Sequence, residues 1–336
     1  MHPELSRRFN DSIRDEAGRR FGIEPSDLDQ LNAFENHVYE GTNGDGADLV
    51  LRISHSTRRT FEYTQGEIEF VRYLGAAGIS IAQPQLSEGG AFIEKIADSE
   101  PGHYFVVTAF ERADGVVFDD VPALKTLHWK PPLFRDLGKL FAQLHNRAQT
   151  YKLSNPKFKR QEWYEYDVVE IDRFAPPDER LVRERSWAIL DRLKQLPTDA
   201  SAYGLIHADL HPHNFCYDEG KITAFDFDNA EYGWFVKDIA TLLFYVARGE
   251  ERGHREAAVD ALFRPFLEGY RALRPLERDW LAQIPDLLKL QRFSNYSLLH
   301  QYKPDVIDDN FRERQGRFVR DIESDIPVIE LDFASY

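Results

Sequence analysis

Cysteine is nearly absent from this chain of 336 residues, Cys216 being the single one. That excludes an intrachain disulfide and a thiolate zinc site. Positive charge is also scarce: 42 Lys and Arg stand against 57 Asp and Glu, a formal net charge of −15. A nucleic-acid footprint needs a basic face or stripe, and global acidity argues against one. The acidity is spread along the chain, with no acidic tail or basic arm. No uncharged apolar run approaches the roughly 18 residues of a membrane span. The opening Met1-His2-Pro3-Glu4-Leu5-Ser6-Arg7-Arg8 lacks the apolar core of a signal peptide. The expectation is a cytoplasmic protein with neither membrane nor nucleic acid as a partner. What is present suits a globular enzyme: 42% hydrophobic and 29% charged residues, enough apolar material for a sizeable core. At about 150 residues per domain the length suggests roughly two domains.

Along the chain, residues 6–21 read as a polar, capped helix, exposed or lightly packed. From 34 to 110 the pattern is mostly strands. Val38–Glu40 and Asp48–Ile53 flank Asn43-Gly44-Asp45-Gly46, a strong hairpin signal. A helix is expected over 62–77, ending at Gly78, and strands over Phe92–Ile96 and Tyr104–Phe110. After Asp114-Gly115 the pattern turns helical, apart from a short β region near 203–227. The organisation expected is α+β: a β-rich N-terminal unit over 1–112 and a larger helical unit over 113–336, with the boundary near Glu111–Gly115.

The stretch from His207 to Asp228 carries the chemistry. Asn214–Asp218 and Lys221–Phe225 are able to pair as a hairpin around Glu219-Gly220. Asp226 is then the next residue beyond Asn214's partner, and Asp209 lies a few residues upstream at the same mouth. An amide oxygen and two carboxylates suit magnesium, which keeps several waters and shares substrate phosphates. A carboxylate beside a metal-bound phosphate orients a hydroxyl and accepts its proton.

His207-x-Asp209-x4-Asn214 followed by Asp226-Phe227-Asp228 resembles the catalytic loop and metal-binding motif of the protein-kinase-like superfamily. The nearest resemblance is to its aminoglycoside phosphotransferase, choline kinase and type II homoserine kinase group, over roughly residues 30–245. The resemblance implies a bilobal fold, small and β-rich at the N-terminus and helical at the C-terminus. It implies an ATP (or GTP) and Mg2+ dependent transfer of a phosphoryl group to a hydroxyl of a small-molecule acceptor. Asp209 would be the catalytic base, Asn214 and Asp226 would hold magnesium, and His207 would brace the loop. Asp228 stands where protein kinases carry glycine. Arg52, in Val50-Leu51-Arg52-Ile53, takes the place of the phosphate-pairing lysine. Glu67, on one helical face with Phe70, Val71 and Leu74, would be its ion-pair partner. Phe110, Glu111 and Arg112 fall at the hinge that receives adenine, where backbone groups around Glu111–Ala113 would read the base edge. Asp238 would brace the catalytic loop from below, or cap its own helix. Leu31–Tyr39 matches the phosphate-covering loop but has no glycine; Asn36, His37 and backbone amides would serve instead.

Three other readings compete. His207, His211 and His213 suggest a metal cluster, but Pro212 breaks helical continuity between them. A serine/threonine protein kinase would need a long activation segment, and only Asn229–Lys237 separate Asp228 from Asp238. A nucleotide-binding pseudokinase would be expected to have lost Asp209, Asn214 or Asp226. For the acceptor pocket, Trp163, Tyr164, Tyr166, Tyr232, Trp234, Tyr296 and His300 are the candidate aromatics, and an amine-bearing acceptor is expected by analogy with the group.

Overall fold

A computed structural model describes residues 8–31, 36–165, 171–301 and 308–336. The contacts divide the chain into two units. The first holds residues 1–115, 152–160 and 223–228; the second holds 116–151, 161–222 and 229–336.

The first unit is built on a six-stranded sheet ordered β1 (Asp29–Leu31), β2 (His37–Thr42), β3 (Asp48–His55), β6 (Tyr104–Glu111) and β4 (Pro84–Gln85), with β5 (Ile93–Ala97) also on β6. The β2–β3 turn forms because Asn43 Oδ1 accepts from the Asp45 and Ala47 amides at 3.1 and 2.8 Å. Alternation along β3 sorts its side chains between two faces. Leu49, Leu51 and Ile53 join Phe105, Val107 and Ala109 of β6 in a core completed by Ile13, Ala17 and Phe21. Those last three belong to the first full helix among the described residues, α1 (Asp11–Arg20), and its C-cap. The light packing expected of this polar helix is therefore wrong: its few apolar residues recur every four positions, and that one stripe is buried. The opposite face of the sheet receives α2 (Phe61–Ala76), capped by Thr60.

Two segments from later in the sequence complete this unit. Ala224 donates to Ser80 O at 3.1 Å and accepts from the Ala82 amide at 2.9 Å. Residues 152–160 lie against α2 at Gly66, where a Cβ would come within 2.0 Å of the Phe158 carbonyl oxygen.

The second unit is mainly helical. Its longer helices are α3 (Pro131–Ala148), α4 (Arg180–Leu193), α5 (Phe235–Arg248), α6 (Arg255–Arg271), α7 (Ile284–Gln301) and α8 (Asp309–Glu323). Leu137, Leu140, Phe141 and Leu144 make the buried stripe of α3, which packs against α6. Two small β elements carry the motif residues. The short strand β7 (Val116–Val117) pairs with β9 (Phe215–Asp218). The ribbon of β8 (Tyr203–Ile206) and β11 (Glu231–Trp234) pairs Ile206 with Glu231. Strand β10 (Lys221–Ala224) follows β9 after Glu219 and Gly220, both at positive φ (43° and 98°), the conformation a two-residue hairpin turn requires. Cys216 is buried opposite Val117 as a small core residue. No helix among the described residues is long and apolar enough to cross a membrane.

Candidate active site

In the first unit, Arg52 lies on the α2 side of β3. Its guanidinium binds Glu67 in a fork, at 2.9 Å to Oε1 and 2.6 Å to Oε2. Both are buried, Glu67 completely. The same guanidinium reaches Asp226 Oδ1 at 3.3 Å and sits 5.2 Å from the centroid of the Phe110 ring. Burial opposes the charge of Arg52, but Glu67, Asp228 and Asp226 outweigh it and raise its pKa. Asp226 takes a positive φ of 61°, costly for a residue other than glycine, and its carboxylate remains 45% exposed.

Asp228 is buried in an arginine cluster. Its carboxylate accepts from Arg59 Nε at 2.9 Å, Arg58 Nη1 at 2.8 Å and Asn36 Nδ2 at 3.2 Å. Its carbonyl accepts from Arg160, whose guanidinium lies 3.6 Å from the Tyr63 ring centroid. Burial pushes the Asp228 carboxyl up, but the surrounding guanidiniums hold it well below the usual carboxylate range. Asn36 also accepts from Ser54 at 2.6 Å and Arg58 at 3.0 Å. His37 does not face outward as a loop residue: its ring stacks on Phe9 with centroids 3.7 Å apart. Residues 32–35 of the expected phosphate-covering loop lie outside the described residues.

The hinge candidates are engaged locally. The Glu111 amide donates to Gln83 O at 2.8 Å and the Arg112 amide to Asp48 O at 3.0 Å. The Glu111 carboxylate accepts from Gln85, and Arg112 pairs with Glu40 at 2.7 Å.

In the second unit, the loop after β8 carries Asp209 and Asn214. Asn214 donates to the Asp209 carbonyl at 2.8 Å and lies 3.5 Å from its carboxylate. Asn229 Nδ2 is 3.4 Å from Asp209 Oδ2, and His211 Nε2 is 3.5 Å from Oδ1. His207 is buried, and its Nδ1 accepts from the Asp209 amide at 3.3 Å. Ala208 holds a positive φ of 67°. Asp238 supports that conformation, accepting from the His207 amide at 3.1 Å and the Ala208 amide at 2.6 Å. It does not cap its helix: α5 has no side-chain cap. His145 Nε2 donates to Asp238 at 3.2 Å, and Tyr270 donates to His145 Nδ1 at 2.9 Å. Burial pushes the His145 imidazole down, which keeps the ring neutral. Burial alone would push Asp238 up, but its bonds with His145 and the nearby loop groups hold it below the usual range.

Beside this loop is a cavity of about 640 Å³ lined by Asp119, Trp129, His213, Tyr245, Arg248 and Glu250 among others, within the size range of small-molecule sites. His213 pairs with Asp119 at 3.0 Å and Asp120 at 3.5 Å, and His211 stacks on Tyr245 at 4.0 Å. The aromatics named from sequence are mostly elsewhere. Trp163, Trp234 and Tyr296 are buried core residues, and Tyr164, Tyr232 and His300 do not line this cavity. Tyr166 lies outside the described residues. Trp129 and Tyr245 line the cavity instead.

No group of three or more His, Cys, Asp or Glu able to hold a metal exists among the described residues; His207, His211 and His213 bind separate partners. Taken each by itself, Asn214 in the second unit offers an amide oxygen and Asp226 in the first a carboxylate, donor types that a hard divalent cation takes. Asn214 donates through Nδ2, so Oδ1 is the atom it would offer a cation, and the Asp226 carboxylate is half-exposed.

The model of the phosphotransferase enzyme family matches residues 27–276. The amicoumacin kinase of Bacillus subtilis (strain 168) is 35% identical over 100% of this chain and 98% of its own length. The homoserine kinase of Neisseria meningitidis serogroup B is 26% identical over 82% of this chain and 84% of its own. Among solved structures, amicoumacin kinase hAmiN in complex with AMP-PNP, Ca2+ and Ami aligns with a TM-score of 0.92 at 34% identity, covering 100% of this chain and 99% of that one. A microcompartment-associated aminopropanol kinase shares the fold, with a TM-score of 0.73 at 19% identity over 94% and 96% of the two chains.

Proposed function

This chain belongs to the phosphotransferase enzyme family, and on that premise we propose that it moves the γ-phosphoryl group of ATP to a hydroxyl of amicoumacin or a closely related small molecule. It is a small-molecule kinase by family; the acceptor is the proposed step. The observation that carries it is the likeness to an amicoumacin kinase over the full length of both chains.

In this reading Asp209 is the general base. As the acceptor oxygen bonds to the γ-phosphorus, the bond to the β–γ bridging oxygen breaks, ADP leaves, and the hydroxyl proton passes to Asp209. Asn214, Asn229 and His211 hold the Asp209 carboxylate. Asn214 and Asp226 are the proposed ligands of a divalent cation, Mg2+ in the cell, which would neutralise phosphate charge. Arg52, oriented by Glu67, is the proposed phosphate partner and Phe110 its apolar support. With the Glu111 and Arg112 amides donating elsewhere, adenine recognition falls to Ala113 and to hinge carbonyls. The cavity beside His213 is the proposed acceptor site. Its lining mixes Asp119 and Glu250 with Lys125 and Arg248, so an amine on the acceptor rests on analogy with the family, and its aromatics favour a flat apolar part. Residues 231–237 form β11 and the first turn of α5, directly after a 3-10 turn over Phe227–Asn229, a connection that speaks against a peptide shelf.

The test is acceptor-dependent ADP release with a mass gain of one phosphoryl group on the acceptor. The panel is amicoumacin, homoserine, choline, an amino alcohol and a neutral sugar. Amicoumacin is expected to give the highest kcat/KM. ADP release that no small acceptor stimulates would overturn the reading; another acceptor in first place would overturn only the choice of amicoumacin.

A further inference from the structure

The second acidic residue of Asp226-Phe227-Asp228 has no role in the reaction as described, yet it is among the most heavily bonded side chains of the first unit. A carboxylate offers about four lone-pair positions. At Asp228 three are occupied, by Arg58, Arg59 and Asn36. The side chain is 4% exposed, against 45% for Asp226. Binding a cation here would displace buried guanidiniums and leave them unpaired, a costly state. Asn36 is likewise engaged at both ends of its amide: Nδ2 on Asp228, and Oδ1 accepting from Ser54 and Arg58. Asn36 belongs to Leu31–Tyr39, the segment that matches the phosphate-covering loop and has no glycine.

We propose that Asp228 is a positioning residue and not a metal ligand: through Asn36 and Arg58 it ties the residue leading into β2 and the turn after β3 to the Asp226 motif. The inference rests on the kinase reading, in which the Leu31–Tyr39 segment and Asp226 serve the nucleotide. The Arg160 bond to the Asp228 carbonyl anchors the same hub from below. The Asn36–Asp228 link joins residues 192 positions apart, so the start of β2 and the motif share one network.

The test is AMP-PNP binding by calorimetry and Mn2+ binding by electron paramagnetic resonance on the full chain, neither of which needs an acceptor. Asn36→Ala and Asp228→Asn should each weaken AMP-PNP about tenfold, as expected for a lost bond to a charged group. The double variant should be weaker by less than the product of the two single effects, because the two residues share the Asn36–Asp228 contact. Arg58→Lys should bind AMP-PNP better than Arg58→Gln. Mn2+ affinity should fall at least about tenfold further in Asp226→Asn than in Asp228→Asn, since only the former removes a ligand. Equal loss of Mn2+ in those two variants would make Asp228 a ligand and overturn the inference. So would an Asn36→Ala variant that binds AMP-PNP like wild type, a readout that stands even where Asp228→Asn fails to fold. Wild-type protein that binds no AMP-PNP would instead overturn the kinase reading itself.

Discussion

Asp209 is held by weak contacts of 3.4 to 3.5 Å, loose enough for the proposed base to exchange partners during turnover. Asp209→Asn should lower kcat by about 10²–10⁴-fold, the usual worth of positioned proton transfer, while AMP-PNP affinity stays within about threefold of wild type; turnover equal to wild type would remove the base assignment. Arg52 differs in kind. It is buried against a fully buried Glu67, so Arg52→Ala should destabilise the fold by about 3–5 kcal/mol, the cost of leaving one partner of a buried pair behind. Urea denaturation measures this. A variant as stable as wild type but weak for ATP would assign Arg52 to phosphate alone. The pairing of these two residues was legible because Arg52 breaks an apolar strand and Glu67 breaks an apolar helix face. Arg58 and Arg59 were not legible. Their doublet follows β3 in plain view, but their partner Asp228 is some 170 residues away, and no local period reports such a distance.

Among elements, the loop after β8 carries backbone strain at Ala208, one of four described residues other than glycine at positive φ. Ala208 at φ 67° is stabilised by two hydrogen bonds to Asp238. A β-branched side chain tolerates that region poorly, so Ala208→Val should lower stability by about 1–3 kcal/mol. Ala208→Gly should be neutral or slightly stabilising, because glycine enters the left-handed region freely. Thermal melting of both variants separates strain from lost contact: equal destabilisation by Val and Gly would exclude strain. The existence and type of the longer elements followed from periodicity, and β2, β3, β5, β6 and α2 fall within a residue or two of their expected bounds. The short strands β1 and β4 carry no alternation to read; pairing at the two edges of the sheet makes them strands.

For the whole molecule, acidification acts on the first unit through several groups with depressed pKa values, His37 and Asp98 among them. Burial pushes the His37 imidazole down to about 4, below the unfolded value near 6.5. The folded state therefore disfavours the protonated ring, and stability present above about pH 6.5 is lost as pH falls toward 4. Burial pushes Asp98 up, but bonds from Arg8, His55 and Ser99 prevail and hold it at about 2. Its contribution is present above the unfolded carboxylate value of about 3.9 and disappears as pH falls through 2. The melting temperature should thus fall in two stages. His37→Phe, which keeps the stack on Phe9, should flatten the stage between pH 6.5 and 4, though not abolish it, because burial lowers His55 as well. An unchanged slope in that variant would show that His37 contributes nothing.

The sequence by itself determined the class of chemistry. Asp209, Asn214 and Asp226 fall within 18 residues on a loop and a hairpin, so chain connectivity alone limits how far apart they are. It determined also the partition into a sheet-rich beginning and a helical remainder, because hydrophobic period is a local property. Tertiary structure decided what local period does not report. It recruited 152–160 and 223–228 to the first unit, through a close approach at Gly66 and backbone bonds to Ala224. It turned the polar α1 into a core helix and gave Trp129 and Tyr245, not Trp163 and Tyr296, to the cavity beside the loop. It surrounded Asp228 with arginines from β3's exit and from residue 160. Each of these depends on which surfaces meet, and burial is won or lost only when segments far apart in sequence come into contact.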